Sequence, residues 1–466
     1  MFAAAHTTIV CTTVAGVGAN FVWILTVASR TVSNPALKTS YIAPSISDIT
    51  GITALSTAGN QAFTLTGANF GPSGTLAEVV YSSGGRNKYN VSCTVTTPHS
   101  QITCLSAAGV GTGFSLTLTI GGQPVVVTPS PLRYVAPTVS DVTMASPIST
   151  LGGTMFTIIG ANLGPKDALI CPIVTYTSTS GGAPYTATNC TGSASPPHTQ
   201  LICTSAVGVG KNFVFRVTVG GQTAPDLGTV HRYAAPSIST ITATRLAALG
   251  GTLVTFTGAS FGPAGTPITA TMGPLGTEHA LAAGACWVQS DDSAQCASPP
   301  GVGTNHRWTL YVAQQQGTSP VSVTTSYAVP TLDTLTSSLM TTDGTTLIKF
   351  TGRDFGPLSL DSSWSNLGVS ISVSYGTYTA TGCVVTGLGN PQMMECSSVE
   401  GIGVTFPLVV VIGGQAAGGE VLSVGYLPPT ISAFSPSSFA TNGGTVVTLT
   451  GSAFIFLAPF VVYRAV

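Results

Sequence analysis

Charge is what this sequence has least of. Asp, Glu, Lys and Arg make up 6% of its 466 residues, against roughly 25% in an average soluble chain. Fourteen Lys and Arg balance 15 Asp and Glu to a net charge of -1. Contact with a nucleic-acid backbone needs clustered cations, and the densest group here is Arg86 with Lys88, so no nucleic-acid partner is expected. Long apolar runs are missing too, although the mean hydropathy is +0.44. Phe21 to Ala28 is short and the stretch from Phe454 to Val462 is broken by Pro459, whereas a membrane-spanning helix needs ~20 apolar residues. No membrane span is expected. Patterns that carry chemistry are absent as well. There is no Gly-Lys-Ser/Thr phosphate loop and no C-x2-C pair of the zinc type. His6, His231, His279 and His306 are scattered with no partner spacing, and Asp291-Asp292 is the one adjacent acidic pair. Catalytic groups should break a repeat pattern; that pair reads as a solvated hairpin tip and His306 as a packed strand residue. No catalytic residue, cofactor or metal is expected, and the chain is read as not an enzyme.

What the sequence does have is glycine, proline and a repeat. Pro137-Thr-Val-Ser is followed by Leu151-Gly-Gly-Thr154, Gly160-Ala-Asn-Leu-Gly-Pro165, a cysteine pair, Gly208-Val-Gly210, an alternating run from Phe213 to Val219, Gly220-Gly-Gln222 and Tyr233-Ala-Ala-Pro236. The last proline opens another copy. Opening prolines Pro44, Pro137, Pro236, Pro330 and Pro429 step by 93, 99, 94 and 99 residues, and Tyr41, Tyr134, Tyr233, Tyr327 and Tyr426 each stand three residues earlier. Such a period is too long for a solenoid unit of ~20 to 50 residues and fits a small domain of about 100. The expected division is therefore 1–43, the back part of one copy; full copies 44–136, 137–235, 236–329 and 330–428; and 429–466, the front part of another. Cys11 to Phe21 aligns with Cys104 to Phe114, so the first 30 residues read as repeat rather than as a leader peptide. The sequence is expected to be a piece of a longer protein, with signal and anchor outside it.

Within a copy the apolar residues alternate with period two, the mark of half-buried strands. Phe114, Leu116, Leu118 and Ile120 form one inward face, and Phe213, Phe215, Val217 and Val219 its counterpart. Gly and Pro punctuate the strands every ~8 to 12 residues, as sandwiches of two antiparallel sheets require. The fold class is all-β: tandem immunoglobulin-like β-sandwiches of early-set type, beads on a string. The recurrent glycines read as turn positions needing positive φ or a close backbone approach.

Cysteines fall at one place per copy. Cys93 with Cys104, Cys190 with Cys203, Cys286 with Cys296 and Cys383 with Cys396 are 11, 13, 10 and 13 residues apart, across stretches able to turn, so each pair is read as a disulfide joining a hairpin. Zinc is the competing reading and does not fit those spacings; His99 and His198, between paired cysteines in two copies, read as turn residues. Cys11 stands at a second-cysteine position without its first, and Cys171 is a buried thiol or an intermolecular link. Disulfides imply an oxidising compartment. The sequons Asn90-Val-Ser92 and Asn189-Cys-Thr191 are candidate glycosylation sites.

The string G-T-x-x-T-x-x-G-x-x-F-G-P, then C, then C-x-x-x-x-G-V-G, then V-G-G-Q, then Y-x-x-P resembles the immunoglobulin-like IPT/TIG domain of plexins, growth-factor receptors and certain transcription factors, over about residues 1 to 454. The cysteine-bearing form is similar to the extracellular branch. Ala313-Gln-Gln-Gln stands where Gly-Gly-Gln is expected, His306 where other copies have Phe, and Asp343-Gly-Thr for Gly-Gly-Thr. One fold serves many functions. The expected one is a non-enzymatic extracellular or cell-surface protein, an adhesion or spacer ectodomain with a protein or glycan partner. The alternative is a carbohydrate- or ligand-binding receptor ectodomain. Sugar stacking would use exposed aromatics; Trp23 and Trp308 fall in the inward register, and Trp287 and Trp364, outside it, sit at different places in different copies. Asp48, Asp141 and Asp333 follow opening prolines, but one acid per junction is too few for calcium.

Overall fold

The computed structural model describes the chain except residues 1, 5–6, 52–53, 85–87, 167–171, 180, 196, 275–277, 359–369, 388, 455–460 and 465–466. Among the described residues the regular structure is all strand. Contacts divide the chain into two units, Met1–Ala234 and Ala235–Val466.

In the first unit, residues 137–235 show the plan of one sandwich. Thr138–Met144, Met155–Ala161, Gln200–Thr204 and Thr188–Gly192 form one sheet; Tyr185–Thr186, Ile173–Ser178, Phe213–Val219 and Gln222–Thr223 form the other. Neighbouring strands are antiparallel. In residues 44–136 one ten-residue strand, Lys88–Thr97, runs from the first sheet into the second and fuses them into a seven-stranded sheet. Phe114, Leu116, Leu118 and Ile120 are buried, as are Phe213, Phe215, Val217 and Val219, so the period-two alternation of the sequence is the division between core and surface.

The second unit repeats the plan. Ser237–Ile241, Leu253–Ala259, Ser293–Ala297 and Cys286–Ser290 face His279–Ala280, Ile268–Gly273, Arg307–Val312 and Gln315–Thr318. Residues 330–428 build five- and six-stranded sheets. Each landmark tyrosine from Tyr134 on lies in a short parallel pairing with the early part of its own copy: Tyr134 with Leu55, Tyr233 with Ile148, Tyr327 with Leu246, Tyr426 with Met340.

One glycine is dictated by packing in every copy. A Cβ on Gly67, Gly160, Gly258, Gly352 or Gly451 would overlap the carbonyl oxygen of Ser45, Thr138, Ser237, Thr331 or Thr430, because the facing strand bulges there, as between Ile46 and Asp48. At two of these bulges an Asp carboxylate folds back to the next backbone N–H, Asp48 to Ile49 and Asp141 to Val142, both at 2.8 Å. That is a structural use for the acids after the opening prolines.

Candidate functional site

The constellation that recurs with fixed geometry is the place where one sandwich meets the next. It begins with a two-residue turn. Gly121-Gly122, Gly220-Gly221 and Gly413-Gly414 all have positive φ, 53° and 76°, 57° and 79°, 55° and 78°, as a type I′ hairpin requires. The first glycine of each turn presses on the preceding sandwich. A Cβ on Gly121 would lie 2.6 Å from Gly18 N, one on Gly220 2.7 Å from Gly111 N, and one on Gly413 3.0 Å from Gly303 N. The second glycine has nothing within 4 Å; it serves conformation alone.

The glutamine after the turn reaches the linker. Gln123 Nε2 donates to the Tyr41 carbonyl at 3.1 Å, Gln222 Nε2 to Tyr134 at 3.0 Å and Gln415 Nε2 to Tyr327 at 3.3 Å. Gln415 also accepts from Gly303 N at 3.1 Å. On the other side of the linker, Asn69 Nδ2 donates to the Ala43 carbonyl and Asn162 Nδ2 to Ala136, at 3.2 and 3.3 Å. The Tyr-x-x-Pro link is thus gripped from two sides; the copy with Asp354 at the Asn position has no such donor.

A valine completes the junction. Val110, from the Gly-Val-Gly loop of residues 44–136, is 2% exposed and belongs to the core of 137–235; Val302 is 7% exposed and belongs to the core of 330–428. Val17 packs in the same way against the core of 44–136.

Tyrosines hold this loop in shape. Tyr134 donates to the Ala107 carbonyl and Tyr81 accepts from Ala107 N, at 2.8 and 3.1 Å, while the two hydroxyls are 2.9 Å apart. Tyr89 accepts from Val110 N and donates to Val110 O. Tyr233, Tyr176 and Tyr185 repeat the arrangement around Ala206 and Val209, and Tyr426, Tyr375 and Tyr378 around Val399 and Ile402. Burial pushes the Tyr81, Tyr89, Tyr134, Tyr176 and Tyr233 phenols up from their ordinary range. They are neutral donors, not acids.

The family model that matches this chain is the IPT/TIG domain, over residues 236–327 and 429–461. Residues 236–327 are an IPT/TIG domain. Residues 44–136, 137–235 and 330–428 carry the same opening proline, cysteine pair and closing tyrosine as the matched stretch. No curated protein matches the chain. Among solved structures it is similar to the plexin A4 extracellular region, domains 1 to 8, at 13% identity and TM-score 0.21, with 80% of this chain and 47% of that one covered. The chain thus spans about half of that region. Invasin, a bacterial integrin-binding protein, is similar at 12% identity and TM-score 0.21, over 84% and 81% of the two chains. SGBP-B from a xyloglucan utilization locus in Bacteroides uniformis is similar at 15% identity and TM-score 0.19, over 62% and 97%.

The structure joins Cys93 to Cys104, Cys190 to Cys203, Cys286 to Cys296 and Cys383 to Cys396, with Cα atoms 4.4, 4.1, 4.0 and 4.0 Å apart. Each bridge links adjacent strands of one sheet. Cys11 is free and exposed; Cys171, Arg86, His6 and Trp364 lie outside the described residues. Asn90 and Asn189 are both exposed, on Lys88–Thr97 and Thr188–Gly192. His99 and His198 hold hairpin tips at φ 63°, and Asp291 accepts from Gly262 N at the equivalent tip. Among the described residues no three His, Cys, Asp or Glu side chains gather as a metal would need, and no helix is long and apolar enough to cross a membrane.

One expectation is corrected. Trp308 is buried, but Trp23, assigned to the same inward register, is 51% exposed. Its strand, Phe21–Val27, pairs with Arg30–Thr39 alone, so among the described residues no second sheet covers that face.

Proposed function

We propose that this chain is a non-enzymatic interaction ectodomain, a series of IPT/TIG sandwiches divided at 43/44, 136/137, 235/236, 329/330 and 428/429, that acts as an adhesion or spacer element outside the cell. The observation that carries this is the clamped junction. Chemistry recurs where sandwiches join: a Gly-Gly-Gln turn, an apolar plug and hydrogen bonds to the linker serve to fix one bead against the next. A chain of independent binding modules needs none of these. The disulfides favour an oxidising compartment, and the low charge speaks against nucleic acid.

Class averages of the isolated chain in electron micrographs test the reading. Neighbouring beads within each unit are expected at one fixed angle; freely jointed beads would rule the spacer role out. Carbohydrate recognition stays as the second reading because Trp23 and Trp287 are exposed, at non-equivalent places in their copies; binding to a glycan array would move the assignment there. We further propose that Asn90 and Asn189 carry N-glycans in material made in a secretory host. Peptide mass analysis after enzymatic deglycosylation is expected to show Asp at both positions, and unmodified Asn at both would contradict it.

A further inference from the structure

We propose that the junction at 329/330 is an acid-sensitive hinge, in which His279 and His306 together release the clamp on the next sandwich when they take up protons. The two histidines stand where other copies put an aromatic pair beneath the plug loop. Tyr89, Tyr185 and Tyr378 pair with Tyr81, Tyr176 and Tyr375 across their hairpins, and His279 pairs with Met272 in the same register. His306 takes the place of Phe114, Phe213 and Phe406. Those tyrosine and phenylalanine rings touch, with centroids 5.9, 6.2 and 5.7 Å apart, so the register brings both histidines under one loop.

At this junction a titratable ring carries the plug. His306 is 7% exposed, and its Nε2 donates at 3.1 Å to the carbonyl of Val302, the residue buried in the core of 330–428. One glycine separates the ring from the neighbouring sandwich: a Cβ on Gly303 would lie 3.5 Å from His306 Nε2 and 3.1 Å from Gly413 O. Gly303 N is also the group from which Gln415 accepts. With its Nε2–H spent on Val302, the neutral ring has no proton on Nδ1. His306 Nδ1 and His279 Nε2 are both buried without a hydrogen-bond partner.

A proton added to His306 Nδ1 therefore meets no acceptor, and one on His279 sets a like charge beside it. Burial already pushes the His306 value down. Of the elements round the ring, Ser326–Tyr327 brings the Tyr327 phenol, its ring centroid 5.2 Å away and its value pushed up by burial. The strand His279–Ala280 brings His279, while Ile268–Gly273, the Val302 loop and the Gly413 turn bring no titratable group. Glu278 and Arg307 adjoin the histidines in sequence, and the Arg307 guanidinium donates to Ser319 O at 3.0 Å. Asp354, in the place of the asparagine donor, leaves the linker held from the glutamine side. Opening the loop to water hydrates the cations and withdraws Val302, so acid favours the undocked form. Below the ordinary histidine value of about 6.5, each pH unit favours it by up to about tenfold per histidine. The 136/137 junction, built on Phe114 and Tyr89, has no such pair.

The test is the distance distribution in the full chain between spin labels placed through a keto amino acid at the exposed positions Leu253 and Val409, one on each side of this junction. Val126 and Met155, across 136/137, give the comparison. At about pH 7.5 both distributions are expected to be narrow; at about pH 5 the first should broaden reversibly, with near-ultraviolet circular dichroism unchanged, and the second should not. A His279→Tyr, His306→Phe chain, which restores the pair of the other copies, should stay narrow throughout; the two label pairs on the unaltered chain decide the matter if that variant misfolds. The hinge rests on the clamped-junction reading: a Leu253–Val409 distribution already broad at about pH 7.5 would overturn both, and one still narrow at about pH 5 would overturn the hinge alone. Equal broadening at 136/137, loss of the circular-dichroism signal at the same pH, or a double variant that broadens like the unaltered chain would overturn it too.

Discussion

The tyrosine hydroxyls show how single residues keep a thin, nearly uncharged core satisfied. Each hydroxyl meets a loop N–H or C=O that would otherwise be buried without a partner, a loss of about 1 to 3 kcal/mol. Tyr134→Phe leaves the Ala107 carbonyl unmet and is expected to cost roughly that amount in chemical denaturation. Residues 236–329 show the same rule in reverse. Met272 faces Trp308 where Tyr81 faces Leu116, so the second hydroxyl is gone; Pro299, at the position of Ala107, has no N–H to leave unpaired. His306 replaces the phenylalanine and bonds Val302 O at 3.1 Å, and Trp308 bonds Thr325 Oγ1 at 3.0 Å. The departures of that copy are one coordinated repacking. The sequence shows each replacement, but only the register brings them to one place.

Titration belongs to this scale as well. The buried phenols have folded values above the unfolded value of about 10, so the native state keeps protons that the unfolded chain releases. Stability is then fully present below about pH 10 and is lost as pH rises beyond it. Burial of the His306 ring pushes its value down; the unfolded chain binds a proton that the native ring resists, so stability also falls on acidification below about pH 6.5. Thermal melts across pH should show both flanks. A Tyr134→Phe, Tyr233→Phe variant should lose part of the alkaline flank, and an unchanged flank would contradict the assignment.

At the scale of elements, the hairpin turn separates two uses of glycine that sequence cannot tell apart. Gly220 and Gly221 both need positive φ, but only Gly220 touches the preceding loop. Gly221→Ala is expected to cost about 1 kcal/mol of backbone strain and nothing more. Gly220→Ala bears the same strain and also pushes Val110 and Gly111 away, so it should uncouple the two sandwiches while each stays folded. A chemical-denaturation profile that splits into two transitions for Gly220→Ala alone is the expected result. The glycines, the strands and their alternation were legible in the sequence because each follows from a local rule. The glutamine carries no local mark of a contact. A turn needs no glutamine, so its recurrence at 123, 222 and 415 was the available signal, and reading it required knowing that the turn faces another sandwich. The exposure of Trp23 escapes the sequence for a related reason: period two says which face a residue occupies, not whether a second sheet covers that face.

For the whole molecule, low charge and clamped junctions have a common consequence. The ion pairs among the described residues, Arg216 with Asp226, Lys349 with Glu395 and Arg353 with Asp333, are at least partly exposed, and exposed pairs contribute about 0 to 1 kcal/mol and are screened by salt. Stability should therefore change little between low and high sodium chloride in thermal melts, and a strong salt dependence would contradict this. Cohesion comes instead from apolar plugs and neutral hydrogen bonds, within sandwiches and between them. The claim on which the spacer reading rests is that these contacts hold neighbouring sandwiches at one orientation. Its most direct test is the distance distribution between spin labels placed through a keto amino acid at the exposed positions Val126 and Met155, one on each side of the second junction. A single narrow distribution that broadens in Gly220→Ala and not in Gly221→Ala is the predicted result. A broad distribution in the unaltered chain would contradict it.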